Sequence, residues 1–410
     1  MKKTPKLRFK EFSRDWEEKK LGTLGEFRKT YSFSRSVEGE GSYKHIHYGD
    51  IHMNYKGIIS KNKSIPSIDI PNDNYEIIQE RDIIFADASE DRKDLGKVAV
   101  VRSIEGNVIS GLHTICFRPK DDLNSEFFLN HSLNKEYLKY MYTRGNGAKV
   151  LGISKSNLSE YKFLVPSIEE QEKIAKFFSL IDNKISLQSE KVEALKDYKK
   201  GIMQKIFSRE LRFKDDEGRD YPEWEEKNMN KFLIERKEKN TGSLRVCSVA
   251  VKRGVVDQIE HLGRSFAAKD TSNYNLVKYG DIVYTKSPTG DFPYGIIKQS
   301  LIEEDVVVSP LYGVFKPLNF NLGYILHCYF EYRENANNYL YSIIQKGAKN
   351  TINISNTTFL SKSIRLPIDE NEQRKIVNLL LGIERKIEKE QEKLNSLNEY
   401  KKGLLQQMFI

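Results

Sequence analysis

The chain has 410 residues, 30% of them charged and 39% hydrophobic, with a formal net charge of +9. That length supports two to four domains with real cores, and no apolar run approaches the ~20 residues of a membrane span. The basic balance favours a polyanionic partner without identifying it, and three scattered cysteines (Cys116, Cys247, Cys328) argue for a reducing cytosol and against a disulfide framework or a cysteine zinc cluster.

In chain order, the opening MKKTPKLRFKEF is basic with no apolar core behind it, so no secretory signal is expected. The first landmark is LRFK (7–10) followed by WEEK (16–19). Both recur, as LRFK (211–214) and WEEK (224–227), with four more residues between them in the second copy. ERDIIFADAS (80–89) and YGDIVYTKSP (279–288) each predict a turn at Asp82 or Asp281 leading into a short strand. VISGLHTICFRP (108–119) and VVSPLYGVFKP (307–317) predict strands closed by a basic residue and proline. Helical stretches follow at 125–144 and 321–343, then GNGAKVLGISKSNL (145–158) and KGAKNTINISNTTF (346–359), then strands YKFLVP (161–166) and KSIRLP (362–367).

Pro166 and Pro367 introduce the strongest repeat. EEQEKIAKFFSLIDNKI (169–185) matches ENEQRKIVNLLLGIERKI (370–387), and YKKGIMQKIF (198–207) matches YKKGLLQQMF (400–409), without a gap from Gln171 and Gln373 onward (373 − 171 = 202). Each copy predicts one helix of about 35 residues, about 50 Å long, with acidic residues favouring its first turn. Apolar residues step by three and four through Ile174, Phe178, Ile181, Ile185, Val192, Leu195, Ile202 and Ile206. The second copy keeps the register through Ile376, Leu380, Ile383, Ile387, Leu394, Leu397, Leu404 and Met408. This is a coiled-coil seam, interrupted at matching places by Gln188 and Glu390 and by Lys199 and Lys401. Polar seam residues fix register and partner number at a cost in stability.

The expected architecture is α+β: a globular domain at 1–165, a helix at 166–207, a second domain at 208–366 and a second helix at 367–410.

No catalytic signature is convincing. His45, His47 and His52 are close in sequence, and alternate strand residues face one side, but no acidic or cysteine ligand stands at zinc-like spacing. GNGAK (145–149) lacks the third glycine of GxGxxG and the GK[ST] of a P-loop. Gly-Ala-Lys nevertheless recurs at 147–149 and 347–349, near Arg144, Lys155 and Lys346, so the loop reads either as a plain turn or as a phosphate contact. DFPY (291–294) has Phe292 where the [DN]PP[YF] of amino-methyltransferases has proline, with no glycine-rich cofactor strand before it. ASEDRKD (88–94) reads as a solvated charged loop.

Duplicated α+β domains, each followed by a long helix running from x-x-E-Q-x-K-I to YKKG[IL][ML]Q, closely resemble the DNA-specificity subunit of type I restriction–modification systems, over nearly the whole chain. The resemblance implies two pseudo-symmetric target-recognition domains, each reading half of an asymmetric bipartite DNA site, with the two long helices paired as an antiparallel coiled coil that serves as spacer. It implies no chemistry and no cofactor in this chain. Two modification subunits would carry S-adenosylmethionine and methylate adenine; restriction subunits, where present, would be a pair using ATP and Mg. No membrane is involved, and the setting is cytoplasmic. The outer helix faces and the YKKG segments are candidate docking surfaces. A non-catalytic coiled-coil scaffold with two protein-binding domains is the alternative, separable by the salt dependence of DNA binding.

Base-reading residues cannot be transferred from the family, because the domains diverge where specificity lies. By residue type, the first-domain candidates are Lys44, His45, His47, Lys56, Arg92 and Lys93, with Arg144, Asn146 and Lys149 in the glycine loop. The second-domain candidates are Arg245, Lys252, Arg253, Lys286 and Ser287, with Lys346, Lys349 and Asn350. Arg and Lys pair with guanine O6/N7 and Asn with adenine.

Overall fold

The computed structural model describes residues 4–71, 73–92, 94–147, 149–346 and 352–409. The chain divides into two compact units. One joins residues 1–190 to 391–410, and the other spans 191–390. Each unit therefore holds one globular domain, half of its own long helix and half of the other.

In the first unit, the short strands Glu17–Lys20 and Lys162–Val165 pair antiparallel (Glu17 opposite Val165), bringing the start of the domain to its exit. A five-stranded sheet has the order Gly25–Phe27, Thr114–Pro119, Ile83–Ala86, Val98–Val101, Ile58–Ile59, antiparallel except for its last pair. A three-stranded sheet sets Glu38–Ile46 between Ser67–Ile68 and Asn107–Ser110. Ile83–Ala86 and Val98–Val101 are buried throughout, as expected of apolar runs covered on both faces. The 125–144 stretch is two helices, Ser125–His131 and Lys135–Arg144, because Asn134 caps the second by accepting a bond from Tyr137 N.

The second unit repeats the plan with different loops. Glu225–Asn228 pairs with Ser363–Leu366, and an antiparallel sheet has the order Leu233–Glu235, Gly313–Pro317, Ile282–Tyr284, Ile297–Gln299. A second four-stranded sheet runs Gly254–Asp257, Val246–Ala250, Val306–Val308, Asn275–Val277. The Asp turns match. Gln79 N donates to Asp82 Oδ2 and Lys278 N to Asp281 Oδ2, each at 2.8 Å, and the residue before each aspartate, Arg81 or Gly280, is left-handed (φ 72° and 86°).

The long helices run Ile168–Phe207 and Glu370–Met408, 40 and 39 residues, longer than the expected 35 because each begins a turn and a half before its first seam residue, Ile174 or Ile376. All sixteen apolar seam positions are buried or half-buried. Within each unit the helix halves pack antiparallel. In the first unit Leu404, Leu405, Met408 and Phe409 join the core of Ile174 and Phe178; in the second, Met203 and Ile206 join that of Ile376, Val377 and Leu380. Extra buried positions such as Met203, Val377 and Leu405 broaden the seam where a domain also covers the helix.

The repeated landmarks prove to be the weld between domain and helix. Arg8 grips Glu170 through Nε (2.8 Å) and Nη2 (2.7 Å), and Trp16 Nε1 donates to the same carboxylate at 3.3 Å. Gln171 Nε2 donates to the carbonyls of Asp122 and Pro166, both at 3.0 Å, and its Oε1 accepts from Asn124 N at 2.9 Å. In the second unit Gln373 repeats this with Pro367 O (2.8 Å) and Asn319 Nδ2 (3.0 Å). Arg212 reaches Glu372 only at 3.5 Å, because the four extra residues offer it Glu223 and the carbonyls of Tyr221 and Pro222. Trp224 Nε1 faces Glu372 without reaching hydrogen-bonding geometry. Burial pushes the Glu372 carboxyl pKa up, against the pull of Trp224 and Arg212.

Candidate nucleic-acid interface

In the first unit the sheet brings two charged loops together. Ile83–Ala86 runs out at Asp87, and Ala88–Ser89 then pairs with Leu151–Gly152. Asn146 N donates to Gly152 O at 3.0 Å, and Gly152 N to Asn146 O at 2.8 Å, closing the 145–152 loop beside the 88–94 loop. Gly147 has φ 136°, and a Cβ there would lie 1.9 Å from Val150 O, so the turn itself requires glycine. Arg144, Asn146 and Lys149 are exposed around it. Arg92 joins them, its guanidinium hydrogen-bonded to Tyr142 OH and 5.0 Å from that ring. Lys93 lies outside the described residues.

The other first-domain candidates sit elsewhere. Lys56 is exposed in a left-handed conformation (φ 47°), and Lys44 is half-buried on Glu38–Ile46. The histidine candidates need correction. His45 is fully buried, with Nε2 3.3 Å from Glu38 Oε1, so it presents no surface to DNA in this conformation. His47 is also buried. It caps the helix Tyr48–Met53, its Nδ1 accepting from Gly49 N at 3.2 Å, and burial lowers its pKa. His52 is on that helix, so the three do not share a strand face. Among the described residues no three His, Cys, Asp or Glu side chains are arranged to hold a metal ion.

A cluster not singled out from sequence lies beside the joined loops. His113 Nδ1 is 3.2 Å from Asp87 Oδ1, the Tyr48 ring is 5.3 Å from His113 and 5.9 Å from His52, and His52 Nε2 is 3.3 Å from Ala88 O. The signal was present, since Asp87 and His113 fall within the two quoted repeat segments, but the residues meet only through sheet pairing.

In the second unit Lys286 follows the equivalent strand with φ 53° and is half-buried. Burial lowers its ammonium pKa, with Glu235 opposing. Exposed Ser287 offers its carbonyl to Thr289 Oγ1 at 3.3 Å, and paired Thr289–Phe292 backbones close the loop, making DFPY a hairpin tip. Lys252 and Arg253 are exposed between Val246–Ala250 and Gly254–Asp257, and Arg253 bonds Glu260 at 2.5 Å. Arg245 is exposed, 3.4 Å from Glu304. Lys346 lies on Gln345–Lys346, paired with Ile352–Asn353; Lys349 and Asn350 lie outside the described residues.

In the first domain the exit of a central strand offers exposed cations, an aromatic face and hydrogen-bonding groups; in the second it offers the half-buried Lys286 and the exposed Ser287, while the exposed Arg245, Lys252 and Arg253 lie on other segments. Cations and hydrogen-bonding groups of this kind suit phosphate and base-edge contacts. No helix among the described residues is long and apolar enough to cross a membrane.

The family model for the type I restriction modification DNA specificity domain matches residues 13–197 and 225–399. The MjaVIII type I restriction enzyme specificity subunit of Methanocaldococcus jannaschii is 26% identical over 323 residues, 73% of this chain and 71% of the relative. Another protein of that organism, assigned to a type I enzyme named MjaX, is 29% identical over 132 residues, 31% of this chain and only 30% of its own length. The crystal structure of a type I S subunit from M. genitalium shares the fold with TM-score 0.58 at 14% identity, covering 99% of both chains. A chain from a study of complex assembly in a type I R-M system gives TM-score 0.53 at 15% identity, covering 95% of this chain and 96% of that one. With most of its length matched twice by one specificity domain, the chain belongs to the type I restriction–modification DNA specificity family.

Proposed function

We propose that this chain is the non-catalytic specificity subunit of a type I modification or restriction complex in the cytoplasm. Each domain reads one half of an asymmetric, split DNA sequence. Helices of 40 and 39 residues, about 60 Å at ~1.5 Å per residue, set the separation of the half-sites. Two weak readers held at fixed spacing gain affinity by effective concentration and demand both half-sites at once. Two modification subunits bring S-adenosylmethionine and methylate adenine; restriction subunits, where present, bring ATP and Mg. The outer helix faces dock these partners.

The observation that carries this reading is the repetition itself. Each family-matched segment joins a globular domain to a long helix, the weld between them is repeated, and the loops at the central strand's exit are not. The test is reconstitution with an adenine methyltransferase subunit from the same genome, on random-sequence DNA with S-adenosylmethionine, followed by sequencing of modified bases. Methyl-adenine at one split, asymmetric motif only when both proteins are present is the expected result. Modification by this chain alone, or none from an assembled complex, defeats it.

A further inference from the structure

Asp87 stands five residues after Asp82, and Lys286 five residues after Asp281. The two therefore occupy the same place, the first residue beyond Ile83–Ala86 in one domain and beyond Ile282–Tyr284 and Thr285 in the other, with opposite charge. The backbone is held at Asp87 and next to Lys286. Asp87 N donates to His113 O at 3.1 Å and Asp87 O accepts from Ile153 N at 2.8 Å, while Thr285 N, beside Lys286, donates to Ile296 O at 3.0 Å.

Both places carry backbone strain. Lys286 itself is left-handed, and so is His113 beside Asp87 (φ 56°); such conformations cost energy for side chains of this kind and concentrate at functional positions. Both side chains are also incompletely satisfied. Asp87 meets His113 through Oδ1 alone, and Lys286 forms no ion pair among the described residues. Burial favours the neutral form of each, raising the Asp87 pKa against the pull of His113 and lowering that of Lys286, so each gains from a hydrogen-bonding partner.

The charge signs decide what that partner is. A carboxylate repels phosphate, so Asp87, held by His113 and with Lys155 near, is not a backbone contact. In a DNA groove it matches an exocyclic amino group, cytosine N4 or adenine N6. An ammonium has only donors, and the base edge that offers two acceptors is guanine O6/N7.

Resting on the DNA-specificity reading above, we propose that Asp87 and Lys286 are equivalent base-reading residues: Asp87 selects a base with an exocyclic amino group in one half-site, and Lys286 selects guanine in the other. Opposite hydrogen-bonding polarity at one shared position makes the two domains of one chain read unlike half-sites.

The test uses the full chain with its methyltransferase and sequences methylated DNA for wild type, Asp87→Ala, Asp87→Asn, Lys286→Asn and Lys286→Gly. Glycine relieves the left-handed strain, and the Asp87→Asn change is isosteric, which guards against misfolding. Each variant is expected to lose roughly 10-fold of discrimination at one base pair of one half-site, leaving the other half-site intact as an internal control. Unchanged motifs from both variants at either position overturn the proposal there. So does loss of all modification by a variant that still assembles, which marks a structural role. If the wild-type complex yields no split motif, the function reading fails instead, and the two failures are distinguishable.

Discussion

Lys199 Nζ lies 2.6 Å from Glu384 Oε1, joining the two long helices across their seam, and 202 residues further along Lys401 Nζ lies 2.5 Å from Asp182 Oδ1 in the other unit. The lysine interruptions of the apolar repeat are thus cross-helix ion pairs. They are not equal. Lys199 is 12% exposed and also reaches Glu331 at 2.9 Å on the domain helix Phe320–Glu331, where Glu331 meets Lys298 at 3.5 Å. Tyr324 OH donates to Glu384. Burial works to lower the Lys199 pKa, but Glu331 and Glu384 outweigh it and raise it. Asp182, by contrast, is 49% exposed.

Removing Lys199 leaves Glu331 only Lys298 at 3.5 Å and Glu384 only the Tyr324 hydroxyl in a partly buried site, whereas removing Lys401 frees a carboxylate that water reaches. Lys199→Ala is expected to cost about 2–3 kcal/mol and Lys401→Ala less than about 1 kcal/mol. Urea unfolding of the two variants checks this, and equal losses contradict it.

The welds at the helix starts predict a second inequality. Arg8→Ala leaves the nearly inaccessible Glu170 carboxylate with only the Trp16 bond, at a cost of about 3 kcal/mol. Arg212 already shares itself with Glu223 and two carbonyls, so its loss from Glu372 costs less. Deleting the four inserted residues before Trp224 should tighten the second weld. Thermal melts of Arg8→Ala and Arg212→Ala measure the difference, and a larger shift for Arg212→Ala contradicts it.

Two buried histidines, His131 on the helix Ser125–His131 and His327 on the helix Phe320–Glu331, make stability sensitive to acid. Burial pushes His131 down to about 3, while its ring nitrogens meet Tyr161 OH (2.7 Å) and Asn134 Nδ2 (3.1 Å). His327 falls to about 3 through burial and the nearby Lys298 and Lys199, with Glu331 opposing. Folded values below the unfolded 6.5 mean that the unfolded chain binds more protons between pH 6.5 and 3. Their contribution is therefore complete above pH 6.5 and is lost as pH falls, by up to about 1.4 kcal/mol per pH unit for each histidine. Glu331, which burial would raise but Lys298 and Lys199 hold at about 2, adds a loss in the same direction below the ordinary carboxylate range. Unfolding free energy measured from pH 7.5 to 4.5 should fall, and His131→Gln should flatten the slope.

For the first domain's loop, Arg144→Ala with Lys149→Ala should weaken binding to all DNA sequences alike and reduce the salt slope by about 0.9 per charge removed. Fluorescence anisotropy with two unrelated duplexes at several salt concentrations is the check. An unchanged slope takes the loop out of the interface.

Much of the fold was legible because it is periodic or repeated. Every seam residue from Ile174 to Met408 is buried or half-buried as the three-four spacing requires, and the strands at 162–165 and 363–366 fall where their landmarks put them. The site was less legible, because contacts between distant segments leave no local trace. Nothing near His45 announces that Glu38 will face its ring and that Ile46 will seal it in a core, and Asp87 acquires its neighbour His113 only through sheet pairing. The LRFK and WEEK motifs were visible as repeats, but their purpose was not; Arg8, Trp16 and Glu170 must meet before it can be read.

The interleaving of segments has a consequence for biosynthesis. Trp16 packs against Phe409 (6.5 Å between rings), and Phe127 and Phe178 contact the same ring. In the other unit Trp224 meets Phe207 at 6.5 Å, and every segment of that unit lies within 191–390. A ribosome delivers the whole second unit before it delivers Leu404 and Phe409. The domain translated first must wait with part of its core open until the other has been synthesised, so the order of synthesis and the order of completion are reversed. Any chaperone requirement should fall on the amino-terminal domain during that interval.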